Sequence, residues 1–366
     1  MRSDLVGVAA LVVAILVPRA AAASAARPYA PKIPPGYSSK VVLHVDFGTT
    51  PDKIGVEWGD SGAIHGDEQE YVEPASATNM RVVGDRFYFI DAAANRIKQF
   101  RSPGRLAWQS EPFFNLGYYA VAPDGRVYVV WGTGLEKLSG LDSRGQTVWT
   151  VTSHDLFAEQ ELREFRVGGM TSILGEPEWT AYGLAIADMD GFDRYGKPRA
   201  FAVVVDDGGR VIRIVPGRLV GSDGTIYDYE VSNQPKAWLT TPLVGRNLAG
   251  KVVRQVRLDF QADNRRHLAG VRAVGRERAD PAGGFVVESH AHLPARVKVT
   301  SRFDTILEEV LWRFDVRGRF KEQWRFLSGP FASRASQVVV GSDGNVYHLR
   351  FGETGIDVVK YSRTKK

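Results

Sequence analysis

The chain has no cysteine, which removes several classes of chemistry at once. A disulfide framework, a thiolate metal site and a cysteine nucleophile are all excluded, as is the lipid-attachment cysteine of a bacterial lipoprotein. Long apolar runs are equally scarce. Leu5–Val17, at 13 residues, falls short of the ~20 that a permanent membrane helix needs, and no other run comes near it. Dinucleotide fingerprints and helical metalloprotease His pairs are missing too. Gly59-Asp60-Ser61-Gly62 has the look of a protease nucleophile loop. Such a loop follows its base and carboxylate, whereas Ser61 stands near the mature N-terminus with only His44 before it. Gly191–Lys197 has the spacing of a phosphate loop, but Pro198 takes the Mg²⁺-binding hydroxyl position and a strand follows instead of a helix.

What is present begins with an export signal. Met1-Arg2-Ser3-Asp4 leads into the apolar run, and Pro18, Arg19 and the small-residue tract Ala20–Ala26 follow it. A positive start, an apolar middle and an Ala-x-Ala region form the pattern of a secretory signal peptide. Residues 1–25 are therefore read as signal peptide, 26–39 as a Pro-rich linker, and 40–366 as a single domain. The mature chain is expected in the periplasm or outside the cell, monomeric and without an integral membrane span. Its 44% hydrophobic and 24% charged composition is ordinary for a globular protein, and its 38 glycines suit a fold with many tight turns.

Val83–Ser110 sets the theme for the rest. Arg86–Ile90 is rich in aromatic and branched residues, Asp91–Asn95 supplies a loop, and Ile97–Phe100 alternates with strand period. Ser102-Pro103-Gly104 then turns the chain into Leu106–Gln109. Strands this short cannot close a core alone. The same pattern returns as VAPDGRVYVV at Val121, VDDGGRVIRI at Val205, VGSDGTIYDY at Val220 and VGSDGNVYHL at Val340. Asp-Gly between alternating strands is a strong hairpin signal, because both residues tolerate positive φ. Asp85 and Asp124 are 39 residues apart, and Asp223 and Asp343 are 120 apart, three times about 40, a period typical of stacked blades.

The units predicted are 76–113, 116–152, 179–220, 221–268, 269–327 and 335–366. They make an all-β propeller of six blades with four antiparallel strands each, although weak patterning in units four and five leaves seven open. The last unit lacks one strand, and Lys40–Phe47 is spare at the other end of the chain. Joining the two would close the ring and remove open edges. One helical interruption is predicted at Asp155–Phe165, with Leu156, Phe157, Leu162 and Phe165 on one stripe.

Asp91, Asn95, Arg96, Ile97 and Phe100 follow the run in which a strand ends in Asp, a turn carries Asn, and Arg-Ile leads to an apolar position. In this the chain resembles the NHL-repeat β-propellers, secreted bacterial members in particular, with Asn95 one place later than usual. The resemblance implies the propeller fold. It admits lyases, ligand binders and interaction scaffolds alike.

Two candidate sites stand out. Glu288, His290 and His292 (ESHAH) fall at alternate positions and share one face if Phe285–His292 is a continuous strand; two imidazoles and a carboxylate are a metal set. The resemblance adds that related lyases hold metal by histidines near the axis. Asp188, Asp190 and Asp193 lie in a segment read as one loop, where alternate acidic oxygens suit calcium or simply bond their own turn. The other candidate is basic. Between Arg246 and Arg278, nine Lys or Arg stand against Asp259, Asp263 and Glu277, and Arg254, Arg257, Arg265 and Arg266 are the residues expected to meet an anion. Nucleic acid is not expected for an exported chain with few aromatics in that stretch. The leading reading is a non-catalytic binding scaffold for a protein or an anionic glycan or lipid headgroup, with no cofactor. The alternative is a lyase or lactonase with an axial divalent metal, zinc, iron or calcium, held by Glu288, His290, His292, Asp188 and Asp190.

Overall fold

A computed structural model describes residues 27–28, 30–56, 76–158, 165–167, 177–180, 183–193, 198–217, 219–221, 223–228, 242–258, 273–281, 283–292, 297–298, 307–327 and 337–364. Two strands come before the first blade, β1 (Arg27–Pro28) and β2 (Tyr37–Asp46). Blade one is β3 (Ala77–Val83), β4 (Arg86–Asp91), β5 (Arg96–Arg101) and β6 (Arg105–Gln109). Blade two is β7 (Tyr118–Val121), β8 (Val127–Trp131), β9 (Lys137–Leu141) and β10 (Thr147–Thr152), followed by the helix α1 (Ser153–Ala158). Blade three has β12 (Pro177–Thr180), β13 (Gly183–Asp193), β14 (Pro198–Val205) and β15 (Val211–Pro216), with β11 (Phe165–Val167) along the far end of β13. Blade four is β16 (Leu219–Val220), β17 (Ile226–Asp228), β18 (Leu243–Arg246) and β19 (Val252–Val256). Blade five is β20 (Ala273–Ala279), β21 (Phe285–His292), β23 (Leu307–Phe314) and β24 (Phe320–Leu327), with β22 (Val297–Lys298) paired to β1. Blade six is β25 (Val338–Val340), β26 (Val346–Phe351), β27 (Gly355–Arg363) and then β2.

The protein is thus an all-β, six-bladed propeller of four-stranded antiparallel sheets, closed by its N-terminal strand. First strands of neighbouring blades adjoin (β3 with β7, β7 with β12, β16 with β20, β25 with β3), which sets them around the hub. A repeated aromatic pair explains the blade packing. Tyr88, Tyr128, Tyr227 and Tyr347 occupy equivalent second-strand positions and are buried. Trp108 meets Tyr88 edge-on at 6.0 Å and Trp149 tilts on Tyr128 at 6.1 Å. The turn glycine of the following blade covers each indole: Gly145 lies on Trp108 and Gly209 on Trp149, too close for a β-carbon.

The closure is held by more than the β2–β27 ladder, which runs from Tyr37 opposite Arg363 to Asp46 opposite Gly355. Arg313 of β23 is buried between Asp280 and Glu322, at 2.8 Å from each. Glu322 also accepts the Tyr37 hydroxyl at 2.8 Å, and Arg363 donates to that hydroxyl at 3.0 Å. Tyr37 meets Trp324 edge-on at 4.6 Å. Both ends of the described chain are thereby tied to blade five. β2 starts at Tyr37, three residues ahead of the predicted Lys40. Before it, Lys32 and Arg325 exchange both backbone hydrogen bonds at 3.0 Å, so part of the segment read as a linker runs along the edge of blade five.

Two sequence expectations need correction. The helix spans Ser153–Ala158 and not Asp155–Phe165. Thr152 and Asp155 form a reciprocal cap, each side chain accepting the other's backbone N–H at 3.1 Å, and that starts the helix earlier. Phe165 instead pairs with Asp193 in β11, and residues 159–164 lie outside the described ones. The second correction is the Asp188–Asp193 segment. It is not a loop but the far half of β13, paired with β14 on one side and β11 on the other, after a register shift between Ile186 and Met189. Among the described residues no helix is long and apolar enough to cross a membrane.

Candidate functional site

Strand order gives the propeller two unlike faces. Turns joining first to second and third to fourth strands open on one face, and none exceeds five residues. Strand ends at the opposite face lead into the other connections, 47–76, 153–176, 229–242, 257–272, 293–306 and 328–337 among them, most of whose residues lie outside the described ones. Binding residues tend to sit on long connections carried by a rigid frame.

The short-turn face is acidic in sequence, but most of its carboxylates are engaged. Asp142 accepts the backbone N–H of Arg144 at 2.8 Å and of Gln146 at 3.0 Å. Asp206 does the same with Gly208 and Arg210, and Asp315 with Arg317 and Arg319. These are Asx turns, the local bond that favours Asp at such positions. Burial alone would raise the pKa of Asp343, yet hydrogen bonds from Lys360, Asn345 and Tyr347 hold it down at about 2. Arg126 bridges blades two and three through Asp207 at 2.9 Å and lies over the Trp179 ring.

The residues of the Asp91–Phe100 run are structural here. Asp91 is fully buried and accepts from Gly55 at 3.1 Å and Ala94 at 3.3 Å, while Lys98 pairs with it at 2.8 Å. Asn95 adopts φ +52° in the turn, and Arg96 donates to the Ser110 carbonyl at 2.5 Å. This cluster straps the 48–56 segment onto blade one, where Ile54 is fully buried. Sequence reading missed Lys98. Its signal is a lysine in the middle of a strand whose apolar residues Ile97 and Phe100 flank it.

Phe285–His292 is one continuous strand, as the metal reading required. Its register sets His290 opposite Glu309, Glu288 opposite Leu311 and His292 opposite Leu307. Glu288 is buried, and fully buried Glu309 accepts the backbone N–H groups of Gln337 and Val338 in blade six, each at 3.2 Å. The strand's far end approaches the long-connection face, as does that of β13 with Asp188 and Asp190. Those two strands belong to blades five and three, with blade four between them. The side chains at positions 188, 190, 290 and 292 lie outside the described ones, and among described side chains no three acids or histidines gather in a metal-holding group.

Of the basic candidates, Arg254 lies mid-way along β19, donating to the Tyr227 hydroxyl at 3.2 Å and standing 3.6 Å from Asp223. Arg257 follows the same strand. Arg265 and Arg266 fall in the 257–272 connection, outside the described residues. Lys251 opens β19 from the turn, and Arg246 donates back to the Gly250 carbonyl.

No family model matches the chain, and no curated protein does. Among solved structures the chain is similar to hydrazine synthase of Kuenenia stuttgartiensis at 13% identity, covering 78% of this chain and 76% of that one, with a TM-score of 0.40. BamB of Moraxella catarrhalis aligns at 13% identity over 78% and 73%, TM-score 0.34. The PQQ-bound form of aldose sugar dehydrogenase of Streptomyces coelicolor aligns at 13% identity over 91% and 100%, TM-score 0.41. The six-bladed ring itself rests on the strand pairings given above.

Proposed function

We propose that the chain is an exported, non-catalytic interaction scaffold of the NHL-like kind, meeting a protein or anionic partner with its long-connection face. The observation that carries this reading is the asymmetry of the two faces. One has turns of at most five residues, most of whose acids bond their own backbone or a neighbouring side chain; the strand ends at the other lead into every longer connection, including the one with Arg265 and Arg266. A heparin column tests the anionic arm. Retention should fall steeply with salt, since exposed charges are screened within about 10 Å at 0.1 M, and should drop further in the Arg265→Glu, Arg266→Glu double variant. Retention unchanged by that double variant would sink the anionic reading. Mass spectrometry of the exported protein should find a chain starting near Arg27; an intact Met1 would remove the signal peptide.

A second reading rests on one feature. The register of β21 and β23 brings acids to the ESHAH strand, Glu309 opposite His290, which suits a metal-dependent lyase or lactonase using Glu288, His290 and His292, with Asp188 and Asp190 as further acids. Elemental analysis of protein purified without chelator decides it: stoichiometric zinc, iron or calcium, lost in a His290→Ala, His292→Ala variant, favours the enzyme.

A further inference from the structure

The outer edges of the blades are not equivalent. On blade five the chain covers its own edge at one bridge, Lys32 bonding reciprocally with Arg325 while Ile33 packs on the apolar cluster around Trp324. On blade four, among the described residues, nothing pairs with the outer side of β19. Val252 through Gln255 are exposed there, the two valines at 44% and 52%. Adjacent strand residues project to opposite faces, so this edge offers an apolar side chain on each side of the sheet. Its charge is net positive: Lys251 precedes it, Arg254 lies within it and Arg257 follows, against Asp223 at 3.6 Å from Arg254. Other open edges differ: β2 exposes Val41 beside Lys40, but Val42 is only half-buried and Asp46 ends the strand. β10 exposes Val148, but its Thr147 is bonded to Glu111 at 2.6 Å. β15 exposes Ile212, but Asp206 and Asp207 stand in the turn that begins it.

We infer that β19 is a docking edge for an extended acidic peptide, which joins blade four as a fifth strand. Backbone N–H and C=O groups on the outer side of an edge strand supply the ladder, and side chains at alternate positions supply selectivity. A segment alternating Glu with a β-branched residue fits, its carboxylates on the face of Lys251 and its apolar residues covering Val252 on the opposite face. The site lies on the rim and does not rest on the long-connection face.

The test uses the full chain and a fluorescein-labelled, end-capped Glu-Val hexapeptide, with an otherwise identical peptide N-methylated at alternate amides. Anisotropy should report saturable binding of the first and none of the second. Hydrogen exchange should slow at residues 252–256 but not in β10 or β15. Lys251→Glu and Val253→Asp, both at exposed positions, should each weaken binding about ten-fold while leaving the melting temperature unchanged. Equal binding of the N-methylated peptide would overturn strand addition in favour of simple charge attraction. Protection elsewhere, or no binding at all, would overturn the site.

Discussion

Replacing His348 by Leu probes how the seam between blades five and six limits the fold in acid. His348 sits on β26, buried, its ring centroid 4.4 Å from that of Phe326. Burial, and next the charge of Arg350, push its pKa down to about 3 from an ordinary 6.5, against a hydrogen bond at the Leu327 backbone. At mildly acidic pH the folded imidazole is therefore neutral while the unfolded one is protonated. The unfolded state binds the extra proton, so stability falls as pH drops below 6.5 and goes on falling to the folded value near 3. Between about pH 7.5 and 5.0 this residue alone removes about 2 kcal/mol, and the Leu variant escapes that loss. His44 acts with the opposite sign. A hydrogen bond to Asp357 raises its pKa, so its stabilisation is present in acid and fades as pH rises through the folded value. It is half exposed, its effect is small, and it is common to both proteins. Urea unfolding followed by tryptophan fluorescence at the two pH values measures the difference. Parallel losses in the two proteins would refute the reasoning.

The other predictions concern seams and closure. Arg313→Leu leaves Asp280 and Glu322 buried with no cation between them and should cost about 3–5 kcal/mol, read as a lowered urea midpoint, with Arg313→Lys recovering part. Gly209→Ala forces a β-carbon to 2.7 Å from the Trp149 ring at φ +80° and should cost about 2 kcal/mol by the same measurement. Tyr37→Phe removes the hydroxyl shared by Glu322 and Arg363, for about 1–2 kcal/mol, and limited proteolysis should then cut first near the N-terminal segment.

The ring was legible because a radial repeat writes its turns into the sequence. Asp124-Gly125, Asp223-Gly224 and Asp343-Gly344 marked equivalent hairpins, and the strand missing from the last unit pointed to a donor at the other end. Tyr37–Asp46 fills that place. Errors arose where tertiary pairing overrode local chemistry. Asp188–Asp193 carries turn residues, yet neighbours on both sides hold it extended as β13. In unit four the cut ran to 268, but β19 ends at Val256; the connection after it breaks the period by which the boundary was judged.

The candidate sites were less legible, for a reason tied to where charge is buried. Lys98 in RIKQF, Glu309 in LEEVL, Arg313 in LWRFD and His348 in VYHLRF are each an ionisable residue within a strand, and each is nearly or wholly buried. For Glu309 and Arg313 the partner comes from another blade or another strand: Gln337 and Val338 for one, Asp280, Glu322 and the Gly344 carbonyl for the other. A buried charge tolerates little displacement of its partner, so these groups fix how one sheet sits on the next more sharply than apolar packing alone. Spacing along the chain cannot reveal such pairs, but a charge interrupting a strand announces that one exists. Binding surfaces send no comparable signal. Lys251 and Val253 are exposed, fit their strand as well as any polar or branched residue would, and gain meaning only when the fold leaves their edge open.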